Sequence, residues 1–357
     1  MVLTCLLVAA FLAHPYILGL GVPARVARVG AERGDLSADR ALRTSIPRFR
    51  NAAVLYARAF RHISSSAFDK DYPVLIAFLD PDARRANPDL LRGAREAIVR
   101  YDSTLDLVRQ ASRKPECEWH PNDCPASSRI VGMRQLRLLL AAQAILAAED
   151  GLSGVAVESV IALFQLGESL SSDTSSSAQF TRLAMHRSSA RVLRQVLARG
   201  TPDRAHSAAL LEAIRSIDVA DSVSVALRHE REQGINVFEQ ARRAGADPSS
   251  AATTPKTLGP LRVISDAILN ADEAYYLSAM EERIAAAKLP HGDPVVRRLD
   301  AELGTCCPDY APMSGSMVPA LEGALRARDR TAGDLQSSRR AVSAAVRRWS
   351  YLSADCR

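Results

Sequence analysis

Residues 115–124, PECEWHPNDC, bring together the side chains most able to do chemistry in this chain. Cys117, His120 and Cys124 have the spacing C-x2-H-x3-C, and thiolates and imidazoles are good zinc ligands. A structural zinc site needs four ligands, and Asp123 would be an unusual fourth. Because the spacing matches no standard zinc module, we predict no metal site here.

A disulfide between Cys117 and Cys124 is the second interpretation of this stretch. Closing so short a loop stabilises a fold by roughly 2–3 kcal/mol in the chain-entropy model, if the bridge introduces no strain. Partly buried thiols without a bridge are the structural alternative. Adjacent cysteines such as Cys306 and Cys307 rarely bridge each other, because the intervening peptide is strained. We therefore name Cys117 and Cys124 as the candidate disulfide and leave the other pairings open.

Recognisable catalytic motifs are absent from the sequence. There is no P-loop, no Gly-rich dinucleotide turn, no G-x-S-x-G and no kinase motif set. His229-Glu230 begins like a zincin helix, but no histidine follows four residues after the first. Four carboxylates on one long predicted helix are expected to form a solvated face: Asp266, Glu273, Glu281 and Glu282. The sequence therefore predicts no cofactor and identifies no catalytic residue.

The elements that must position these residues are predicted to be helices. Apolar residues make up 47% of the chain and aromatics only 5%, and Ala and Leu, both strong helix formers, dominate. In RIVGMRQLRLLLAAQAILAAEDG, Met133, Leu136 and Leu140 lie on one stripe and Gly151 can end the helix. VAVESVIALFQLGESL follows after a short connection, so the two helices should pack as antiparallel neighbours.

Capping residues and prolines mark further helices on both sides of this pair. Asn51 can cap a helix, Asn87-Pro88-Asp89 begins one that should reach about Ser112, and Thr201-Pro202-Asp203 begins another. Residues 64–73 should break the helical pattern before a short helix at 74–79. We predict an all-α fold of antiparallel helical hairpins, stacked as a bundle or an irregular α-solenoid, after an N-terminal apolar helix.

Composition divides the chain into five parts. Residues 1–24 form a transmembrane anchor or signal segment, and polar residues 25–47 form a linker. A helical domain covers 48–244 and is followed by a Pro/Gly/Ser/Thr-rich loop, GADPSSAATTPKTLGP, at 245–260. Residues 261–357 are then the C-terminal helical part of the same domain or of a second one.

The N-terminal segment favours a location in or beyond the membrane. Residues 2–22 are apolar enough to span a bilayer, and the small residues around Pro23 are compatible with signal-peptide cleavage. No basic region precedes this segment, and Arg25 and Arg28 follow it, which by the positive-inside rule would favour a cytoplasmic body. We expect a membrane-anchored or exported chain from this segment, with a buried core helix as the alternative, and Arg25 and Arg28 leave the orientation of the body open.

The positive charge of the chain does not indicate nucleic-acid binding. The formal net charge is +6, and arginine supplies most of the basic residues. These residues are spread along the sequence, without stacking aromatics or a recognisable binding module. We therefore expect no nucleic-acid partner.

Four stretches of the chain resemble a group of uncharacterised bacterial proteins. They are NAAVLYARAF near residue 51, CEW at 117–119, the helix pair at 128–171 and QFTRLAMHRSSARVL at 179–193. The resemblance covers roughly residues 48–235. Proteins of this group are typically exported or membrane-anchored and wholly helical, so the resemblance implies an extracytoplasmic helical body. It implies no activity and no catalytic residues.

These observations favour a non-catalytic helical interaction or scaffold protein of the bacterial envelope. Its partner would be a protein, and it would contact the membrane through the N-terminal segment. The alternative is an enzyme whose site forms only in three dimensions. A pocket with clustered polar groups and perturbed pKa values would favour the enzyme. A long concave surface without such a pocket would favour the binding protein.

Overall fold

The computed structural model describes residues 20–31, 46–63, 66–119, 124–246, 259–305 and 311–354. Within these ranges the protein is all-α and has no strand, only an isolated bridge between Asn51 and Glu116. The predicted all-α fold class is therefore confirmed. Most of the predicted apolar helix at 2–22 and of the predicted loop at 245–260 lies outside the described residues.

A helix at 22–31 precedes the main series of helices. The others are α1 (Ala52–Ile63), α2 (Ser66–Leu79), α3 (Pro81–Ala86), α4 (Asp89–Arg100), α5 (Asp102–Ser112), α6 (Ala126–Glu149), α7 (Ser153–Glu168), α8 (Ser176–Arg199), α9 (Arg204–Arg215), α10 (Ser222–Ala246), α11 (Gly259–Ala286), α12 (Pro294–Thr305), α13 (Pro312–Met317) and α14 (Glu322–Ala354).

The chain divides into two compact units, which are described separately. One unit comprises residues 45–220 and 327–357, and the other comprises residues 1–44 and 221–326. In the first unit α6 is the central helix, because α1, α2, α4, α5, α7 and α8 all pack against it. In the second unit α10, α12 and α13 pack against α11. A helix surrounded by its neighbours is a bundle arrangement, since each repeat of a solenoid contacts only the next.

Helix α6 is apolar on nearly every side, and it can therefore occupy the centre of its bundle. Its buried residues include Met133, Leu136 and Leu140, as the predicted stripe requires. By length and composition alone, α6 is also the one described helix that could cross a membrane, but 78% of its apolar window is buried inside the protein. Helix α7 follows after three residues and packs along α6 as the predicted antiparallel neighbour.

Several predicted helix ends are confirmed by their hydrogen bonds. The Asn51 side chain accepts the Ala53 N–H at 3.0 Å, and the Asp203 side chain accepts the His206 N–H at 2.8 Å. Gly151 ends the α6 region with a φ of 74°, a left-handed conformation that glycine adopts without the strain of a Cβ.

Two predicted boundaries differ from the structure. The helix predicted from Asp89 to Ser112 is interrupted at Tyr101, so it forms α4 and α5. Helix α2 begins at Ser66 rather than near residue 74 and carries Pro73 in its interior. A proline inside a helix costs about 3 kcal/mol. Phe68, Leu75 and Phe78 are fully buried on α2, and burying such side chains contributes roughly 1.5–3 kcal/mol each, which outweighs that cost.

Candidate anion-binding groove

The 45–220 part of the first unit contains an arginine-lined groove of about 950 Å³. It lies where α2, α3, α6 and α8 meet. Its apolar lining is Ile76, Leu79, Pro81, Leu138 and Ala198. Its basic lining is Arg84, Arg85, Arg137, Arg191, Arg194 and Arg199, whereas Asp80 is the one carboxylate among the lining residues. We call this cavity the arginine groove.

A second hollow of about 380 Å³ continues the arginine groove along α6 and α8. The two hollows share Arg137 and Arg191. The second adds Arg134, the half-exposed ring of Phe180 and the small residue Ala184. Its lining contains no carboxylate. The positive charge therefore extends along the exposed face of α8 beyond the first hollow.

Carboxylates compensate the arginines at one end of the groove. Glu149 Oε1 lies 3.4 Å from Arg84 Nε and 2.8 Å from an Arg199 Nη atom. Asp334 of α14 lies 3.3 Å from Arg194 Nη1. Arg84 also donates to the Phe78 carbonyl at 2.9 Å and to Gln195 Oε1 at 3.0 Å. These bonds hold the guanidinium of Arg84 in one orientation.

Arg137 and Arg191 have no such compensation. In the ranges that the structure describes, neither forms an ion pair, and Arg137 Nη1 donates only to the Ser188 hydroxyl, at 2.8 Å. Burial and then the neighbouring charge of Arg191 lower the pKa of Arg137, although an arginine remains protonated near neutral pH. Arg137 is therefore a half-buried cation next to other cations, and a ligand anion would relieve this repulsion.

A different arrangement of charges lies in the interior of the same unit. Glu168, at the end of α7, accepts three hydrogen bonds from Arg182 at 2.8–3.0 Å and one from His186 Nε2 at 2.8 Å. Arg182 also donates to the Asp218 carbonyl at 2.7 Å. The His186 ring is 0% exposed and stacks on Phe164 with 6.2 Å between ring centroids. We call Arg182, Glu168 and His186 the buried triad.

Electrostatics keep the buried triad in one protonation state. Burial alone would raise the pKa of Glu168, but the hydrogen bonds and charges of His186 and Arg182 outweigh burial and lower it. Burial lowers the pKa of His186, against the opposing bond from Glu168. The imidazole is therefore neutral near pH 7 and donates its Nε2 proton to an ionised Glu168. Its Nδ1 is buried and has no hydrogen-bond partner among the described residues.

The buried triad lies in the interior of the first unit, away from both hollows. None of its residues lines the arginine groove or the adjoining hollow. A general base must come within hydrogen-bond reach of a substrate proton, and the covered ring of His186 is out of reach.

The PECEW part of the opening motif lies along the start of α1. The Ala52 N–H donates to the Glu116 carbonyl at 2.8 Å, and the Asn51 amide donates to the Glu118 carbonyl at 2.8 Å. Trp119 stacks on Phe60 with 5.9 Å between ring centroids and donates to the Ser169 carbonyl at 2.8 Å. Two of the stretches that carry the family resemblance, NAAVLYARAF and CEW, therefore pack against each other.

The candidate disulfide between Cys117 and Cys124 stays a prediction. Cys117 is a thiol in the structure, and burial raises its pKa to about 12, which makes it a poor nucleophile and metal ligand at neutral pH. Cys124 is buried, with its sulfur 3.6 Å from the Pro125 carbonyl oxygen. The other two residues of the zinc interpretation, His120 and Asp123, lie outside the described residues.

The expectation of a solvated carboxylate face on the long C-terminal helix is wrong in part. Asp266 is exposed, but Glu273 of α11 is fully buried and forms an ion pair with Arg242 of α10. Burial raises the pKa of Glu273 in spite of this arginine. The partner of Glu273 lies 31 residues away in the sequence, so helical periodicity could not reveal it. The described residues contain no group of three or more potential metal ligands.

Comparisons with protein-family models, with curated proteins and with solved structures found no match for this chain. The candidate site therefore rests on its own geometry. Sequence reasoning missed the arginine groove because its basic residues come from three separate regions, near residues 84, 137 and 195. One local signal was present: Arg191 and Arg194 lie three residues apart on α8, at helical spacing.

Proposed function

We propose that this chain is a non-catalytic helical interaction protein of the bacterial envelope that binds an acidic protein partner along the arginine groove. The placement of Arg137 and Arg191 carries the proposal, because both line the groove without a carboxylate partner among the described residues. A guanidinium binds a carboxylate through paired, charge-assisted hydrogen bonds. A partner that supplies carboxylates would therefore neutralise the charges of these two guanidinium groups.

The envelope part of the proposal is supported by the apolar stretch at 2–22 and by the family resemblance. Fractionation of host cells tests it: we expect the chain in the membrane or the exported fraction, and a purely cytoplasmic chain would contradict the proposal. Non-reducing peptide mapping with thiols blocked at lysis adds a second measurement. A Cys117–Cys124 peptide would place the body in an oxidising compartment.

The enzyme alternative has less support in the described residues. The lining of the arginine groove contains no histidine, no cysteine and no glutamate. The adjoining hollow is lined by two serines and a threonine, but its lining contains no base that could activate their hydroxyl groups. Such a lining suits ion pairing with a bound partner, which supports the proposed non-catalytic role.

Binding of polyglutamate to the full chain is the direct test of the groove. We expect binding at low salt that falls as the salt concentration rises, because charge pairs at a partly exposed surface are screened. Arg137→Gln combined with Arg191→Gln should weaken this binding by about tenfold or more, since it removes two charge-assisted contacts. Isothermal titration calorimetry measures the change.

The matched control is Arg58→Gln combined with Arg61→Gln. These two arginines are exposed on α1, outside both hollows, and their replacement changes the net charge by the same amount. We expect this control to keep the affinity of the parent protein within about twofold. Equal weakening by both double variants would show that polyglutamate senses only the net charge, and the groove would lose its proposed role.

A further inference from the structure

The arginine groove and its adjoining hollow follow the long axis of α8. Seven of the eleven α8 residues that line the two hollows recur three or four positions apart and share one face of the helix: Ser177, Thr181, Ala184, Ser188, Arg191, Gln195 and Ala198. At about 1.5 Å per residue this face is roughly 30 Å long. Small side chains at Ala184, Ser188 and Ala198 leave a trough along it. A trough of this length suits a rod-shaped occupant better than a compact small molecule.

Apolar surface accompanies the charge along the trough. Ile76 on α2 is 46% exposed and Phe180 on α8 is 41% exposed, and both line the connected hollows. Tyr72, also exposed, lies one helical turn before Ile76 on the same face of α2. A uniformly charged chain would leave these side chains uncovered. A partner with an apolar stripe beside its carboxylates would cover them and gain free energy from the burial.

The arginines are concentrated over a short part of the trough. Arg191, Arg194 and Arg199 span nine residues of α8, or about 12 Å, which is just over two helical turns. Carboxylates three or four residues apart on a helix of the partner would meet them in succession. Arg137 is recessed behind this row, so a long glutamate side chain is needed to reach its guanidinium.

We infer that the occupant of the arginine groove is an acidic amphipathic helix of a protein partner, lying along α8, beside α2 in the groove and beside α6 in the adjoining hollow. This inference rests on the proposed function and specifies its partner. Glutamates of that helix pair with Arg137 and Arg191, which have no carboxylate partner among the described residues. Its apolar stripe covers Ile76 at one end and Phe180 at the other.

Two other anionic partners fit the groove less well. Single-stranded nucleic acid binds on rows of aromatic side chains, and Phe180 is the only aromatic residue among those that line the two hollows. A membrane surface is flat on this scale, whereas Arg137 is recessed and half-buried. A helix with projecting carboxylates enters the trough and reaches this residue.

A designed peptide of about 20 residues, long enough to fill the trough, tests the inference. It carries glutamates along one edge of an apolar leucine face, and a scrambled peptide of identical composition is its control. We expect the amphipathic peptide to bind the full chain at least about tenfold more tightly than the scrambled one, because only the former buries a continuous stripe. Circular dichroism should show that the peptide gains helix on binding.

A variant separates the apolar contribution from the charge. Ile76→Ser should weaken binding of the amphipathic peptide by about five- to tenfold and leave polyglutamate binding within about twofold. Val99→Ser is the matched control, because Val99 is an exposed apolar residue of α4 that lines neither hollow. We expect Val99→Ser to change neither affinity.

The outcomes distinguish this inference from the proposed function. If both peptides and polyglutamate bind equally, and all three depend on Arg137 and Arg191, the helical partner is wrong while the anion groove stands. If no anionic probe depends on these arginines, both proposals are wrong. An oligonucleotide or an anionic phospholipid vesicle that binds more tightly than the amphipathic peptide, with the same arginine dependence, would replace the proposed occupant.

Discussion

Arg182 and Arg191 lie nine residues apart on the same helix, α8, in opposite electrostatic surroundings. Arg182 is buried, forms a bidentate pair with Glu168 and donates to the Asp218 carbonyl. Arg191 is exposed, lines both hollows and has no ionic partner in the described part of the chain. One arginine is therefore held by this chain's own acceptors, and the other is available to an acceptor from elsewhere.

The contrast separates an arginine that maintains the fold from one that can bind a partner. A buried charge is retained only when acceptors surround it, because an unpaired charge in the interior is very costly. An exposed charge costs little by itself, so several arginines can share one groove as long as solvent screens their repulsion. Removing a residue of the buried triad should therefore affect stability, and removing a groove arginine should affect binding.

Glu168→Ala is the change that should have the largest effect. It removes the acceptor of both Arg182 and His186 and leaves a buried guanidinium without its carboxylate. Breaking a buried charge pair from one side typically costs about 3–5 kcal/mol. We expect the free energy of unfolding, measured by urea denaturation, to fall by an amount in this range.

Asp89→Ala is the control for this prediction. Asp89 pairs with Arg92 on the surface of α4, with both side chains about 70% exposed, and such pairs contribute roughly 0–1 kcal/mol. We expect a correspondingly small change. If the two variants lost equal free energy of unfolding, the buried triad would stabilise the fold no more than a surface ion pair does.

Acidification should destabilise the protein in two steps that involve the buried triad. The pKa values of His186 and Glu168 are both lowered in the folded state. Below about pH 6.5, an unfolded histidine binds a proton that folded His186 does not, so stability falls. Below about pH 4.3 an unfolded glutamate does the same, and stability falls further until folded Glu168 is protonated.

Urea unfolding of the parent protein and of His186→Gln across this pH range measures the effect of the triad. A single proton changes the free energy of unfolding by at most about 1.4 kcal/mol per pH unit. The difference between parent and variant should therefore shrink as the pH falls from about 7 to about 5. A difference that is independent of pH would show that His186 does not titrate in the predicted direction.

Gly167→Ala should have an intermediate effect. A Cβ at Gly167 would lie 2.8 Å from His186 Cε1, so the ring or the helix would have to move. Overpacking of this kind typically costs about 1–3 kcal/mol.

Gly333→Ala is the matched control, because nothing lies within 4 Å of a Cβ at this position inside α14. The control should stabilise the protein by about 0.5–1 kcal/mol through helix propensity. Thermal unfolding of both variants gives the comparison, and a loss at Gly333 or none at Gly167 would contradict it.

The sequence predicted the helices well because burial follows a local period. Met133, Leu136 and Leu140 recur at helical spacing, and the structure buries all three on α6. Asn51 was likewise a local signal, since a helix cap bonds to its own chain two residues further on. Short-range physical rules of this kind account for most of the predicted helix boundaries.

The same rules could not predict which charges meet in space. Glu273 was expected in solvent, because its ion-pair partner, Arg242, lies on another helix and helical periodicity does not reveal it. The arginine groove combines residues more than 100 positions apart, such as Arg84 and Arg199. Such sites depend on how the helices pack, and packing is decided by the apolar faces rather than by the charges. The candidate site therefore emerged only from the three-dimensional arrangement.

Arg191→Gln should have the smallest effect on stability, and it distinguishes the two arginines of α8 most directly. Arg191 is exposed and lies beside Arg137, whose pKa it lowers by repulsion. Its loss removes a repulsion and no ion pair, so the free energy of unfolding should stay within about 0.5 kcal/mol of the parent value. Arg182→Gln, the same substitution on the same helix, should cost several times more, because it leaves Glu168 without its bidentate partner. Urea unfolding and polyglutamate binding, measured on both variants, give the decisive pattern. Stability should be lost at Arg182 and binding at Arg191, whereas a large stability loss at Arg191 would make the groove arginines part of the fold.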